Sequence, residues 1–304
     1  MRARGFRSLT VALGALLALG AAPPPKKKDP PGPKLPKVVL REIVDDRYRG
    51  GKTESGLILA LKLDKEDLAE FPAGRALLKE ARDDSGRSLA PAKPASPRFG
   101  DLRMSPLRVD LVAPARAARS VTVSGTVELF APRRDPAAVV KVPKALARLD
   151  QPLVSPGLAA AKLEVTPLSK SRYAEELKKQ NGPEAKARFR EAMKAEGRTD
   201  EEVAEMLEMH EALSKFIGDD EGKPAVTLLL RHEDVEKIQE VKFLGADGVE
   251  LASGGMSGAS DGVMATRSYT LQNPPGPDTT IVFTLLTEKA RVSVPFTMKD
   301  VPLP

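Results

Sequence analysis

The chain has 304 residues, 41% of them hydrophobic, which is enough for two ordinary domains that each bury a core. It contains no Cys, which excludes thiol catalysis, cysteine metal sites, a lipid-anchored cysteine and disulfides; aromatics make up 4% with no Trp, against a face that stacks sugars or bases. The net charge of +6 falls to +3 when Arg2, Arg4 and Arg7 leave with the leader (45 basic against 42 acidic residues), too mild a balance to imply a nucleic-acid partner.

Residues 1–20 read as a secretory signal peptide. Arg2, Arg4 and Arg7 form the basic start, and residues 9–19 form the apolar run. Cleavage after Gly20 is favoured, because a cut after Ala22 would leave Pro23 just past the scissile bond. The run is shorter than the roughly 20 residues that span a bilayer, so no stable membrane span is expected after cleavage. A retained anchor and a mitochondrial presequence are the alternatives. Lys26, Lys27 and Lys28 put basic charge on both sides of the run, while its uniform apolarity disfavours an amphipathic presequence. Residues 21–36 (AAPPPKKKDPPGPKLP) form a Pro/Lys-rich linker, extended because proline fixes φ and removes donors.

Strand signals then follow in quick succession. Residues 37–43 open the first domain, and in 56–63 (GLILALKL) the residues Leu57, Leu59, Leu61 and Leu63 fall on one face. Residues 76–82 run into an Asp83-Asp84-Ser85-Gly86 hairpin turn. Further strands are predicted at 107–112, 120–129 and 138–142; in 120–129 valines alternate with hydroxyl residues, one face in the core and one in water. Several short strands separated by turn signals predict a β-sandwich.

The second half reruns this plan, with strands predicted at 161–166, 225–230, 240–244, 267–271, 280–286 and 290–294. Glu66-Asp67-Leu68 is answered by Glu233-Asp234-Val235, and Asp84-Ser85-Gly86 by Asp247-Gly248. Val140-Lys141-Val142-Pro143 is answered by Val292-Ser293-Val294-Pro295, and Asp150-Gln151-Pro152-Leu153 by Asp300-Val301-Pro302-Leu303. The expected fold class is therefore mainly β: two tandem β-sandwich domains, 37–154 and 155–304, which the resemblance given below marks as immunoglobulin-like. The second carries an α-helical insertion over about 172–218, within 170–223.

That insertion stands where the first half has only residues 45–55. Tyr173 and Leu177 share a face of a first helix that Asn181-Gly182 ends. Pro183 opens a second helix carrying Ala185, Phe189, Ala192 and Met193. Thr199 and Glu202 form a capping box for a third, whose stripe holds Val203, Met206, Leu207, His210, Leu213 and Ile217. The last two should pack as a hairpin about Gly197-Arg198.

Candidate chemistry is thin. His210-Glu211 opens like a zinc-protease helix but lacks the second histidine, and it lies in an apolar stripe, which suits a packing imidazole. His232 precedes Glu233 and Asp234, but neighbours on an extended chain point to opposite faces, and Lys65 stands at its place in the first half. The acidic loops 83–86 and 219–222 lack the ligand pattern of a helix-loop-helix calcium site; two loops sharing one calcium ion is a lesser option. Residues 253–262 (SGGMSGASDG) miss both the nucleophile-elbow and the phosphate-loop patterns and read as a mobile Gly/Ser loop able to bind. Phe189, Met193, Met206, Met209, Leu213 and Phe216 of the insertion would supply an adaptable apolar surface for a partner; alternatively they pack on one another and on the sheet below.

The Asp-x-Gly hairpins and the closing Val294-Pro295-Phe296 strand resemble tandem immunoglobulin-like or fibronectin-III-like sandwiches of exported bacterial proteins, including secreted proteins of planctomycete-type bacteria. The resemblance covers most of the mature chain, lacks the Cys…Trp…Cys hallmark, and implies no catalytic residues, cofactor or metal. The expectation is an exported, secreted or periplasmic, non-enzymatic interaction or structural module whose partner is another envelope or extracellular protein. An envelope-polymer or carbohydrate-binding module is one alternative. A hydrolase with a site between the insertion and residues 253–262 is another, to be judged by whether His232, Glu233 and Ser257 cluster.

Overall fold

The computed structural model describes residues 35–45, 56–64, 69–91, 98–195, 197–217 and 224–304, without the side chains of 45 and 210–217. The expected signal peptide, most of the linker and the acidic loop 219–222 lie outside the described residues. In chain order the first strands are β1 (Val38–Asp45), β2 (Gly56–Leu63), β3 (Ala73–Asp83), β4 (Gly100–Asp101), β5 (Leu107–Val112), β6 (Ser120–Phe130) and β7 (Val139–Val142). Helix α1 (Pro156–Ala160), strand β8 (Val165–Leu168) and helices α2 (Lys170–Gln180), α3 (Pro183–Ala195) and α4 (Asp200–Ile217) follow. Strands β9 (Ala225–Arg231), β10 (Ile238–Leu244), β11 (Ser253–Ser260), β12 (Met264–Leu271), β13 (Thr280–Leu285) and β14 (Arg291–Pro302) complete the chain.

The fold is mainly β, and every strand pairing is antiparallel. The alternating sequences decide which faces meet. Leu57, Leu59, Leu61 and Leu63 of β2 are buried, as are Val121, Val123, Val127 and Leu129 of β6. They join Leu107, Val109 and Leu111 of β5 in one core between the sheets β1-β2-β5 and β14-β6-β3-β4. A second core lies between β11-β12-β9-β8 and β10-β13-β7, filled by Val226, Leu228, Leu230, Phe243, Tyr269 and Phe283 among others.

The repeat holds at the level of single hydrogen bonds. Beyond β3, Leu89 N donates to Ala81 O and Asp83 N to Arg87 O; beyond β10, Leu251 N donates to Phe243 O and Gly245 N to Val249 O. Gly86 (φ 84) and Gly248 (φ 79) take the left-handed position that each turn needs.

Two strands depart from the expected arrangement. β14 does not lie with the second half but pairs with β6, from Arg291 opposite Phe130 to Pro302 opposite Ser120. β7 pairs with β13, Val140 opposite Phe283 and Val142 opposite Ile281. Each sandwich is thus closed by the last strand of the other stretch of chain, and Pro36–Pro304 form one compact unit. A boundary at 154/155 would pass through two sheets. The crossovers lie against each other: Ala131 N donates to Ala290 O at 2.7 Å, and Ala131, Ala138 and Ala290 are fully buried. Asp135 caps the turn Pro136–Ala138 through the Ala137 amide (3.0 Å); the Thr287 hydroxyl of the other crossover and that amide hold its carboxyl below the ordinary range.

Asp83, at the end of β3, is a buried carboxylate enclosed by donors. Its Oδ1 accepts from the Ser85 hydroxyl (2.6 Å) and the amides of Ser85 and Arg87, and its Oδ2 from the Ala115 amide (3.1 Å). The Ser85 hydroxyl, then those amides, hold it below the usual carboxylate range against the opposing effect of burial. A depressed folded-state pKa contributes stability above the unfolded value and loses it as pH falls through the folded value. Asp83→Asn turns an amide NH2 toward donors, so it should cost about 2 kcal/mol at neutral pH. The deficit should shrink as pH falls below about 4, the unfolded-state value, and vanish once pH passes the lower folded-state value. Thermal melts of both proteins from neutral to acid pH check this.

Candidate functional site

The insertion joins β8 to β9, the counterparts of β1 and β2, and its construction follows its sequence. Ser169 Oγ accepts from Arg172 N to cap α2, while Ser169 N donates to Asp150 Oδ1 at 2.8 Å. Glu176 is held between Arg172 (2.8 Å) and Lys179 (3.0 Å). Gly197 (φ 86) ends α3, and Arg198 N donates to Met193 O. The capping box at α4 is formed reciprocally, Thr199 N to Glu202 Oε2 (3.0 Å) and Glu202 N to Thr199 Oγ1 (3.2 Å).

The insertion rests on the face of β9 and β12 turned away from the core. That face presents Thr227, Ser268 and Thr266, with Thr227 Oγ1 donating to Ser268 Oγ (3.1 Å). Thr266 Oγ1 donates to Oε1 of the buried Gln180 at the end of α2 (3.2 Å). Arg188 of α3 reaches Asp261 in the β11–β12 turn (2.7 Å). Partial burial pushes the Asp261 carboxyl up, but the Met264 and Val263 amides and Arg188 hold it below its ordinary value.

Among the described residues of α3 and α4, Ala185, Val203 and Leu207 are buried. Of the expected partner residues, Phe189, Met193 and Met206 are half-buried and Met209 is 59% exposed. The side chains of Leu213 and Phe216, like that of His210, lie outside the described residues.

Residues 253–260, expected as a mobile loop, are a strand. β11 pairs with β12 along its length, Ser257 opposite Ser268 and Ser260 opposite Ala265. Its composition has no β-branched residue, but ladder hydrogen bonds need only backbone, and Asp261-Gly262 supplies the turn. Asp261 Oδ1 accepts from Val263 N (2.9 Å) and Met264 N (2.8 Å), and Gly262 takes φ 85. That Asp-Gly pair is the same hairpin signal as at 84–86 and 247–248, and it could have marked the strand.

His232, Glu233 and Ser257 are not brought together as a catalytic set. His232 Nδ1 lies 2.8 Å from Ser260 Oγ, and Glu233 lies 3.7 Å from Arg231. Ser260 Oγ also lies 3.0 Å from Met264 O and accepts from Gly262 N (3.1 Å). His232, Ser260, Met264 O and the Gly262 amide thus share one local hydrogen-bond network. The arrangement clamps the turn.

Between the free edges of β10 and β11 lies an open cleft of about 380 Å³, lined by Glu240, Val241, the first half of β11, Arg267 and Tyr269. Arg267 is committed to Val235 O (2.9 Å). Tyr269 meets Phe243 edge-on at 5.2 Å, and burial raises its pKa. Among the described residues, no group of three or more His, Asp or Glu side chains could hold a metal, and no helix is long and apolar enough to cross a membrane. No protein-family model matches the chain, and no curated protein or solved structure matches it.

Proposed function

We propose that this chain is an exported, secreted or periplasmic interaction module without catalytic activity, and that it binds another envelope or extracellular protein through its helical insertion. One observation carries the reading: Met209 is 59% exposed, on a hairpin that already buries Ala185, Val203 and Leu207 and that neither core requires. Methionine suits an adaptable contact surface because its side chain is flexible and polarisable. The Arg-rich leader supports export. An immunoglobulin-like reading of the second sandwich is supported by its strand order, in which β8, β9, β12 and β11 correspond to ABED and β10, β13 and β7 to CFG.

A photo-crosslinking residue at Met209, compared with one at Met104, tests the reading in the producing cells; Met104 is 82% exposed but lies outside the insertion. The expected result is a discrete protein adduct from position 209 that position 104 does not give. Identical adduct patterns from both positions, or none from 209, would overturn it.

A further inference from the structure

Edge strands expose unpaired backbone groups, and proteins guard them with charge, proline or shortness. The four sheets have eight edges. β1 carries Arg41 and Glu42, β5 Arg108 and Asp110, β10 Glu240 and Lys242, and β7 Lys141. β14 holds Pro295 and Lys299, and β4 has two residues. β8 contains Pro167, and its carbonyls at Pro167 and Val165 accept from the amides of Asp150 and Leu153. Among the described residues, β11 (SGGMSGAS) is the one edge strand of eight residues with neither charge nor proline.

Its glycines add a second, independent observation. Gly258 is forced, because a Cβ there would meet Thr266 O at 2.6 Å. Gly255 is not forced: a Cβ would find nothing within 4 Å, and at Gly254 only Thr270 O at 3.8 Å. Neither has the positive φ that would demand glycine. Gly254 is accounted for by the bulge in the β11–β12 pairing between Ser253 and Gly255, whereas Gly255 has open space and suits close approach by another backbone.

We propose that β11 is a dimerisation edge, taking the β11 of a second copy of this chain in antiparallel pairing about a two-fold axis that passes between the two Met256 residues. The strand is complementary to itself in that register. Met256, its one bulky residue, falls opposite its own copy, Gly255 opposite Ser257, and Gly254 opposite Gly258. No like charges meet, and the two Met256 side chains, each 59% exposed in the single chain, cover one another across the axis. Roughly six main-chain hydrogen bonds form, and β8-β9-β12-β11 becomes half of a continuous eight-stranded sheet. Both helical insertions then lie on the same face of that sheet.

The absence of native Cys makes the test clean. Light scattering on the full chain at about 100 μM should give twice the chain mass. Met256→Lys, which sets two like charges at the axis, should weaken dimerisation at least tenfold while circular dichroism stays unchanged. Met256→Cys should form a disulfide dimer on mild oxidation. Val249→Cys, at a position 62% exposed on another hairpin, should not. A monomer at this concentration overturns the proposal. So does a dimer that Met256→Lys leaves intact, or one in which the two cysteine variants crosslink equally. If Met256→Lys does not fold, the cysteine pair decides alone.

Discussion

Expressed separately, residues 36–154 and 155–304 are each expected to fail to fold, and expressed together they are expected to form a stoichiometric, native-like complex. The first fragment lacks β14, and with it Val292, Val294, Phe296 and Val301, all buried in the first core. Burial of a Val or Phe side chain stabilises by about 1.5–3 kcal/mol, so this loss is about 8 kcal/mol, comparable with the whole stability of an ordinary domain. The second fragment lacks β7 and so loses Val140, Val142 and Ala145 from its core. Each would also expose an unpaired inner strand, β6 or β13, as a template for aggregation. Supplied together, each fragment carries the strand the other needs. Circular dichroism and size exclusion on the separate and co-expressed fragments decide the matter, and a cooperative melt from either fragment alone would sink the idea. The uncut chain should melt in a single transition, because neither sandwich can open without surrendering a strand of the other.

Much of this fold was legible because periodicity is a local property. The alternation in β2, β5 and β6 marked strands and their buried faces, and Thr199 with Glu202 marked the start of α4. The strand exchange was not legible, for a physical reason. Val140-Lys141-Val142-Pro143 and Val292-Ser293-Val294-Pro295 have the same pattern, so either could close either sandwich. The crossovers separate the two cases: there Ala131 N donates to Ala290 O, and Ala131, Ala138 and Ala290 are fully buried. Those contacts join residues about 150 positions apart, beyond any local pattern. β11 was hidden differently. Its Gly/Ser composition has low strand propensity, and its pairing with β12 decides its state. The four half-buried or exposed residues of the candidate partner surface were visible as an amphipathic stripe, but their division between packing and exposure depends on how the hairpin sits.

Gly125→Ala is expected to be among the most damaging single-methyl changes in the chain, costing about 3 kcal/mol. Gly125 lies in the middle of β6, opposite Leu78 of β3 on one side and Phe296 of β14 on the other. A Cβ there would run into the Leu77 carbonyl oxygen and lie 2.8 Å from two carbons of the Phe296 ring. The ring could turn, but the carbonyl belongs to a paired strand with a register shift between Leu78 and Glu80, and it moves only with the sheet. Phe296→Leu in the same chain should therefore restore part of the loss and not all of it, since only the ring contact is relieved. Gly255→Ala is the matched control: a Cβ there has open space, and its effect on the single chain should stay within about 0.5 kcal/mol. Denaturant midpoints for the three variants measure this. A Gly125→Ala protein as stable as the Gly255→Ala protein would mean that β3, β6 and β14 are not packed as described, and the strand exchange would fall with that packing.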